Sequence, residues 1–331
     1  MKVLFIGGTG NLSGDCTARA LSKGMEVWHL NRGRKGREAP RGVRSLRADV
    51  RDEAAADRVL GRERFDAVVD FVAFAREHVE EDIRLFRDRT SQFMFISSAS
   101  VYRKPPVHHV ISESTPLVNP FWKYSRDKIE CERRLEEERG ANGFPYTVVR
   151  PSHTYCSEWM PSAFGSADFT VQRRMLDGRR VIVHGDGQSL WTLTHARDFA
   201  VGLVGLLGNP AAIGEAVQIT GDEALTWDAI HATIAAAIGA KPRVVHIPSD
   251  FIAAADPEMG PNFLGDKAYS ALFDCSKLKR LVPEFRTTVS FQEGMRESAA
   301  WFMEDPARQK VDPGLDAAID AILAAWDRKG A

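Results

Sequence analysis

The feature that most constrains this chain is the place where its first apolar run stops. Val3-Leu4-Phe5-Ile6 ends at Gly7-Gly8-Thr9-Gly10, and Leu12, Cys16 and Ala20 then recur at helical spacing. A short β-rich run closed by glycines and followed at once by a helix predicts a buried strand, a tight turn and a helix packed back on the sheet. The alternation continues. Strands are expected at 26–30, 43–48, 65–71, 92–97 and 146–150, with helices at 54–60, 77–87 and 124–139 between them. The fold class is therefore α/β, a doubly wound parallel sheet with helices on both faces. After Pro151 the pattern loosens. Strands are expected at 181–184, 216–220 and 244–247, and helices at 197–207, 227–238, 291–303 and 315–326. The expected division is a nucleotide-binding domain at 1–155 and a smaller mixed α/β substrate lobe at 156–331, with 197–220 returning to the first domain.

Charge and composition narrow the function classes. The 331 residues hold 44 Lys and Arg against 45 Asp and Glu, net −1. Such a balance gives no general attraction to nucleic acid or to an anionic membrane. Cys16, Cys131, Cys156 and Cys275 lie far apart and have no metal-ligand spacing, so reduced thiols in a cytoplasmic protein and no metal are expected. The apolar run at 3–6 is too short for a signal peptide or a membrane span.

The glycine turn carries chemistry of its own. Gly7 and Gly10 would let the backbone approach a pyrophosphate, and the helix that starts with Asn11 and Leu12 would supply N–H donors and a positive dipole end. Ser13 stands where a third glycine is usual, with Gly14 after it. The second strand ends in Asn31 and Arg32, with Arg34 and Lys35 close by, instead of the carboxylate that holds a ribose 2′-hydroxyl. Cations without an acid suit a 2′-phosphate, so the expected cofactor is NADP or NAD, with NADP favoured. Asp49, followed by Val50, would hold the adenine amino group or cap the next helix.

A second constellation lies further on. Tyr124 and Lys128 are four apart, on one face of a helix. An ammonium beside a phenol favours the phenolate, so a lowered Tyr pKa is expected, and such a Tyr can exchange a proton with a substrate hydroxyl or carbonyl. Ser97-Ser98-Ala99-Ser100-Val101-Tyr102 closes the fifth strand.

Together Gly7-x-x-Gly10, the Ser97–Tyr102 segment and Tyr124-x-x-x-Lys128 resemble the short-chain dehydrogenase/reductase superfamily, in its extended branch of nucleotide-sugar epimerases and dehydratases. The resemblance covers nearly the whole chain, including Val149-Arg150-Pro151 and Gly185-Asp186-Gly187. It implies a Rossmann domain and a homodimer formed through the Tyr124 helix and the helix at 77–87. It implies that Ser98 orients the reacting oxygen, that Tyr124 is the acid/base, and that Lys128 binds the nicotinamide ribose and lowers the Tyr pKa. Phe71, Val72 and Ala73 would pass beside the cofactor ribose. Ser97, Pro151 and His153 would also border the cofactor. Ser100, His153, Trp191 and His195 would face the substrate with Ser98.

Departures from the family pattern narrow the expectation. Dehydratases place an Asp-Glu pair after the catalytic Ser/Thr, and here the residues are Ala99 and Ser100. A 4,6-dehydratase is therefore not expected. The Arg that grips a nucleotide diphosphate is replaced by Leu190, and Arg173, Arg174 and Arg197 are the substitutes to consider. The expected function is hydride transfer at a carbinol or carbonyl carbon of a sugar or nucleotide-sugar, by an epimerase or oxidoreductase. The alternative is a nucleotide-binding regulator or RNA-binding protein on the same fold, as among the chloroplast stem-loop RNA-binding relatives.

Overall fold

The computed structural model describes residues 1–33, 39–165 and 168–330; Arg34 and Lys35 lie outside them. Strands β1 (Lys2–Ile6), β2 (Glu26–Asn31), β3 (Arg44–Arg47), β4 (Ala67–Asp70) and β5 (Phe93–Ile96) join Tyr146–Pro151 and Ala216–Ile219 in one seven-stranded sheet. Every pairing in it is parallel. The order is Ala216–Ile219, Tyr146–Pro151, β5, β4, β1, β2, β3. Strand order reverses between β1 and β4, so the loops at their carboxyl ends diverge and leave a crevice.

Alternation along the strands fills two layers. Val3, Phe5, Val69, Met94 and Val149 pack on helix α1 (Asn11–Ser22) and on Ala196–Leu206, through Cys16, Ala20, Phe199 and Leu203. Leu4, Ile6, Val68, Phe93 and Phe95 pack on α2 (Glu53–Leu60), α3 (Arg76–Phe86) and α4 (Lys123–Asn142), through Leu60, Ile83, Cys131 and Leu135. All four cysteines are buried and unbridged. No helix among the described residues is long and apolar enough to cross a membrane.

The remaining chain builds small sheets and helices around a second core that includes Trp191, Trp227, Phe263 and Met295. His153–Tyr155 pairs in parallel with Leu190–His195, which pairs antiparallel with Ala224–Thr226. Arg180–His184 pairs with Arg243–Ile247. The Leu190–His195 strand carries no strong sequence signal because its polar residues are also buried. Thr192 Oγ1 donates to the Ala271 carbonyl at 2.9 Å, and Thr194 Oγ1 accepts from the Gly221 N–H at 2.8 Å.

Candidate active site

Two cavities, of about 890 and 900 Å³, lie over the carboxyl end of the sheet and share Phe74. The second is bordered by Gly7, Gly10, Asn31, Arg32, Asp49 and Val50, and also by Val72. Gly7 has φ +79°, and a Cβ there would sit 2.6 Å from Val72 Cγ1. Only glycine fits that conformation and that approach. Ser13 explains the missing third glycine. Its hydroxyl donates to the Gly7 carbonyl at 2.7 Å and accepts from the Gly10 N–H at 2.8 Å, so it laces the turn. Helix α1 begins just behind, with no acid in its first turn. A bare helix start beneath a glycine cradle fits the pyrophosphate of a dinucleotide. Asn11 borders neither cavity, and Leu12 borders the other one.

The adenosine end differs in part from expectation. Asp49 is not a helix cap: its Oδ1 accepts from the Arg51 N–H at 3.1 Å, and Asp52 caps α2 through the Ala55 N–H. Arg32 is exposed and stands 3.8 Å from Asp49. Arg51 is drawn inward by Asp70 (2.6 Å), Asp82 (3.1 Å) and Glu81 (3.2 Å), which fixes the loop after β3 to the end of β4.

The 890 Å³ cavity collects Ser97, Ser98, Ser100, Tyr124, Lys128 and Pro151. Ser98 is held by a chain of hydroxyls. Its Oγ lies 2.9 Å from Ser100 Oγ, which accepts from Ser125 Oγ at 2.8 Å, and the Ser100 N–H also donates to Ser98 Oγ. Ser97 is turned away to donate to Glu132, which also pairs with the buried Arg150. That ion pair fixes α4 against the strand Tyr146–Pro151.

Tyr124 and Lys128 share one helix face, but the expected acid phenol is not found. Burial pushes the Tyr124 phenol up to about 12, while a hydrogen bond with Ser98 pulls the other way. Lys128 does not offset this, because its ammonium is aimed elsewhere. Nζ donates to the carbonyls of Ala73 (2.6 Å) and Ile96 (2.7 Å) and sits 5.8 Å from the centre of the Tyr124 ring. Burial between the rings of Phe74 and Phe95 lowers the Lys128 pKa to about 8. Ala73 thus acts through its carbonyl; Phe71 borders the same cavity.

On the far wall, His153 and Trp191 line the cavity, with ring centres 6.0 Å apart. Trp191 Nε1 donates to the Tyr269 carbonyl at 3.2 Å. His153 is held neutral, its pKa pushed down to about 3 by burial and by nearby Lys267. His195 does not line the cavity. It is 3% exposed, its Nδ1 accepts from the Arg197 N–H at 3.1 Å at the start of the helix Ala196–Leu206, and its ring packs edge-on against Tyr155. The substitutes considered for a phosphate-gripping Arg are all engaged and outside the cavity: Arg173 with Asp177, Arg174 with Asp316 and Asp320, and Arg197 with Glu297. Sequence reasoning missed Lys104, Trp159, Asp266 and Lys267, which all border the cavity. Lys104 and Trp159 fall in irregular segments, and Asp266 and Lys267 in one short helical turn, with no periodicity to point at any of them.

A sheet that reverses its strand order beneath a glycine turn is the architecture of dinucleotide-dependent enzymes. Comparison with known proteins places the chain more narrowly. The model of the NAD dependent epimerase/dehydratase family matches residues 3–220. The chain belongs to that family, as its motifs led one to expect, and with it to the NAD-dependent enzymes of the extended short-chain dehydrogenase/reductase type. It is 25% identical over 290 residues to the 2'-dehydrokanamycin reductase of Streptomyces kanamyceticus, covering 86% of this chain and 80% of that protein. It is 26% identical over 265 residues to the chloroplast stem-loop binding protein of 41 kDa b of Arabidopsis thaliana, covering 76% of this chain and 67% of that protein. Its fold is similar to that of the Thermus thermophilus UDP-glucose 4-epimerase complexed with NAD (TM-score 0.72, 22% identity, 92% of this chain and 99% of that one).

Proposed function

We propose that this protein is an NAD(P)-dependent oxidoreductase or epimerase that transfers hydride at a carbinol or carbonyl carbon of a sugar-like substrate. The observation that carries the reading is the convergence of Ser98, Tyr124 and Lys128 in one cavity beside the glycine turn. The cofactor, when bound, supplies the carbon that accepts or gives the hydride. Gly7, Gly10 and the start of α1 would hold its pyrophosphate, and Asn31, Arg32, Asp49 and Val50 its adenosine. Phe71, Val72 and Lys128 would border its ribose. The preference for NADP rests on Arg32, which is exposed at the end of β2.

The chain's own residues then do the following. Ser98, oriented by the Ser100–Ser125 hydroxyl chain, hydrogen-bonds the reacting oxygen. Tyr124 holds or takes the proton of that oxygen. Burial holds the Tyr124 phenol protonated in the free protein, the form that can give a proton to a carbonyl oxygen. Ala99 and Ser100 offer no carboxylate where dehydratases carry the Asp-Glu pair that protonates the leaving hydroxyl, so 4,6-dehydration is not proposed.

The test is a titration and a turnover assay on wild type and Tyr124→Phe. NADP and NAD should bind both proteins alike, with NADP tighter. Turnover of carbonyl substrates should fall by at least about 100-fold in the variant, the usual weight of a positioned acid. Near-normal turnover in Tyr124→Phe would sink the mechanism. A second reading comes from the likeness to the chloroplast stem-loop binding protein, and it predicts salt-sensitive RNA binding without cofactor binding. The net charge of −1 opposes it.

Homodimerisation through α3 and α4 is part of the same proposal. Those helices are already laced to each other by Arg76–Glu137 at 2.8 Å and by Arg134–Glu80 at 3.5 Å, which leaves a charged outer face.

A further inference from the structure

One wall of the 890 Å³ cavity carries a local excess of positive charge. Lys104 and Lys267 both converge on Asp266, Lys267 Nζ at 2.6 Å from Oδ2 and Lys104 Nζ at 3.7 Å from Oδ1. The three side chains are 1%, 7% and 11% exposed. Two ammonium groups around one carboxylate leave a positive charge in a nearly dry wall, a costly arrangement unless a further anion meets it. Lys267 also lies 4.3 Å over the Trp191 ring, and Asp266 and Lys267 end a single turn of π-helix, Phe263–Lys267. Such turns are rare and recur at functional sites.

Two neutral polar side chains, Trp159 and His153, line the same cavity. Trp159 Nε1 and His153 Nε2 are buried and have no hydrogen-bond partner among the described residues. Buried polar atoms of this kind are normally satisfied by something. Four other carboxylates, Asp168, Asp256, Glu258 and Asp312, border the cavity nearer to solvent; Glu258 is exposed, and the other three serve local turns, Asp168 by accepting from the Thr170 N–H. Asp256 accepts from the Met259 N–H, and Asp312 from the Gly314 N–H, both through Oδ1. Among the described residues no arginine borders the cavity.

We propose that this wall is an anion subsite which takes the carboxylate of a sugar acid or similar polyhydroxylated acid between Lys104 and Lys267. Trp159 and His153 then bind neighbouring hydroxyls. A monoanion brings the Lys104–Asp266–Lys267 cluster to neutrality. A phosphate dianion overshoots it, a neutral sugar leaves the positive charge unmet, and an amino sugar adds to it. The carboxylate would be an end of the substrate distinct from the carbon facing Ser98 and Tyr124. That orientation rests on the hydride-transfer reading, whereas the subsite itself concerns binding alone.

The experiment is equilibrium binding of D-glucuronate, D-glucose, D-glucosamine and D-glucose 6-phosphate to the full chain loaded with its cofactor. Wild type, Lys104→Met, Lys267→Met and Lys267→Arg are compared. Glucuronate should bind about tenfold or more tighter than glucose, in line with a charge-assisted pair. Each Met variant should erase that preference while leaving glucose and cofactor binding unchanged, and Lys267→Arg should keep most of it. The proposal is overturned if glucuronate does not bind or if glucose or glucosamine binds as well as glucuronate. It also falls if glucose 6-phosphate binds tighter, or if the preference survives in both Met variants. If one Met variant does not fold, the other decides; if neither folds, the wild-type ranking decides. A failed hydride-transfer reading would appear in turnover and in Tyr124→Phe, and would leave this ranking untouched.

Discussion

Lys128 is 2% exposed, yet it is an ionisable amine whose Nζ donates to two carbonyl oxygens and otherwise faces aromatic rings. Burial lowers its pKa from 10.5 to about 8. Between these values the unfolded chain still holds the proton and the folded chain has released it. The unfolded state therefore binds more protons, and this residue's contribution to stability rises with pH across that window. Denaturant titrations should show the stability difference between wild type and Lys128→Met shifting toward wild type by about 3 kcal/mol from pH 8 to 10.5. A difference that does not move with pH would contradict the buried, shifted amine. Spacing alone shows that Tyr124 and Lys128 share a helix face. It does not show the direction in which the phenol shifts. That depended on how deeply each group is buried and on the carbonyls of Ala73 and Ile96, which come from other strand ends. The same reason separates His153, which reaches the cavity, from His195, which caps a helix.

At the scale of elements, the glycine turn and α1 are written locally, and their geometry is testable locally. Gly7 has positive φ and a neighbour 2.6 Å from any added Cβ, while Gly14 has nothing within 4 Å of one. Gly7→Ala should raise the cofactor dissociation constant about tenfold or more, equivalent to about 1.4 kcal/mol of strain brought into the cradle. Gly14→Ala should change it little. Fluorescence titration with NADP and NAD checks both, and equal effects would mean that the turn does not touch the cofactor. Strand and helix positions in the first half were legible because apolar periodicity there is strong. The strand Leu190–His195 and the helix Thr170–Leu176 were not. In the first, buried threonines hide the pattern behind hydrogen bonds to Ala271 and Gly221. The second has an arginine among its buried positions, Arg174, which is 2% exposed.

Across the whole molecule, that arginine ties distant parts together. Arg174 reaches Asp316 and Asp320, both at 2.6 Å, on the helix Pro313–Gly330, and Gly314, Leu315 and Ala318 at the head of that helix border the 890 Å³ cavity. Arg174→Ala should cost about 2–3 kcal/mol, less than a fully buried pair because Asp320 reaches solvent. It should also raise hydrogen exchange along 313–330 and weaken substrate binding more than cofactor binding. Unchanged exchange in that segment would show that the helix is held by its apolar face alone. The sequence by itself determined the parallel sheet, the glycine turn and the register of Tyr124 with Lys128, because each is set by neighbours within a few turns of chain. Only the tertiary structure decided what the cavity is made of. Lys104 lies far along the chain from the adjacent pair Asp266 and Lys267, and neither their burial nor their unbalanced charge exists until the two segments are folded together.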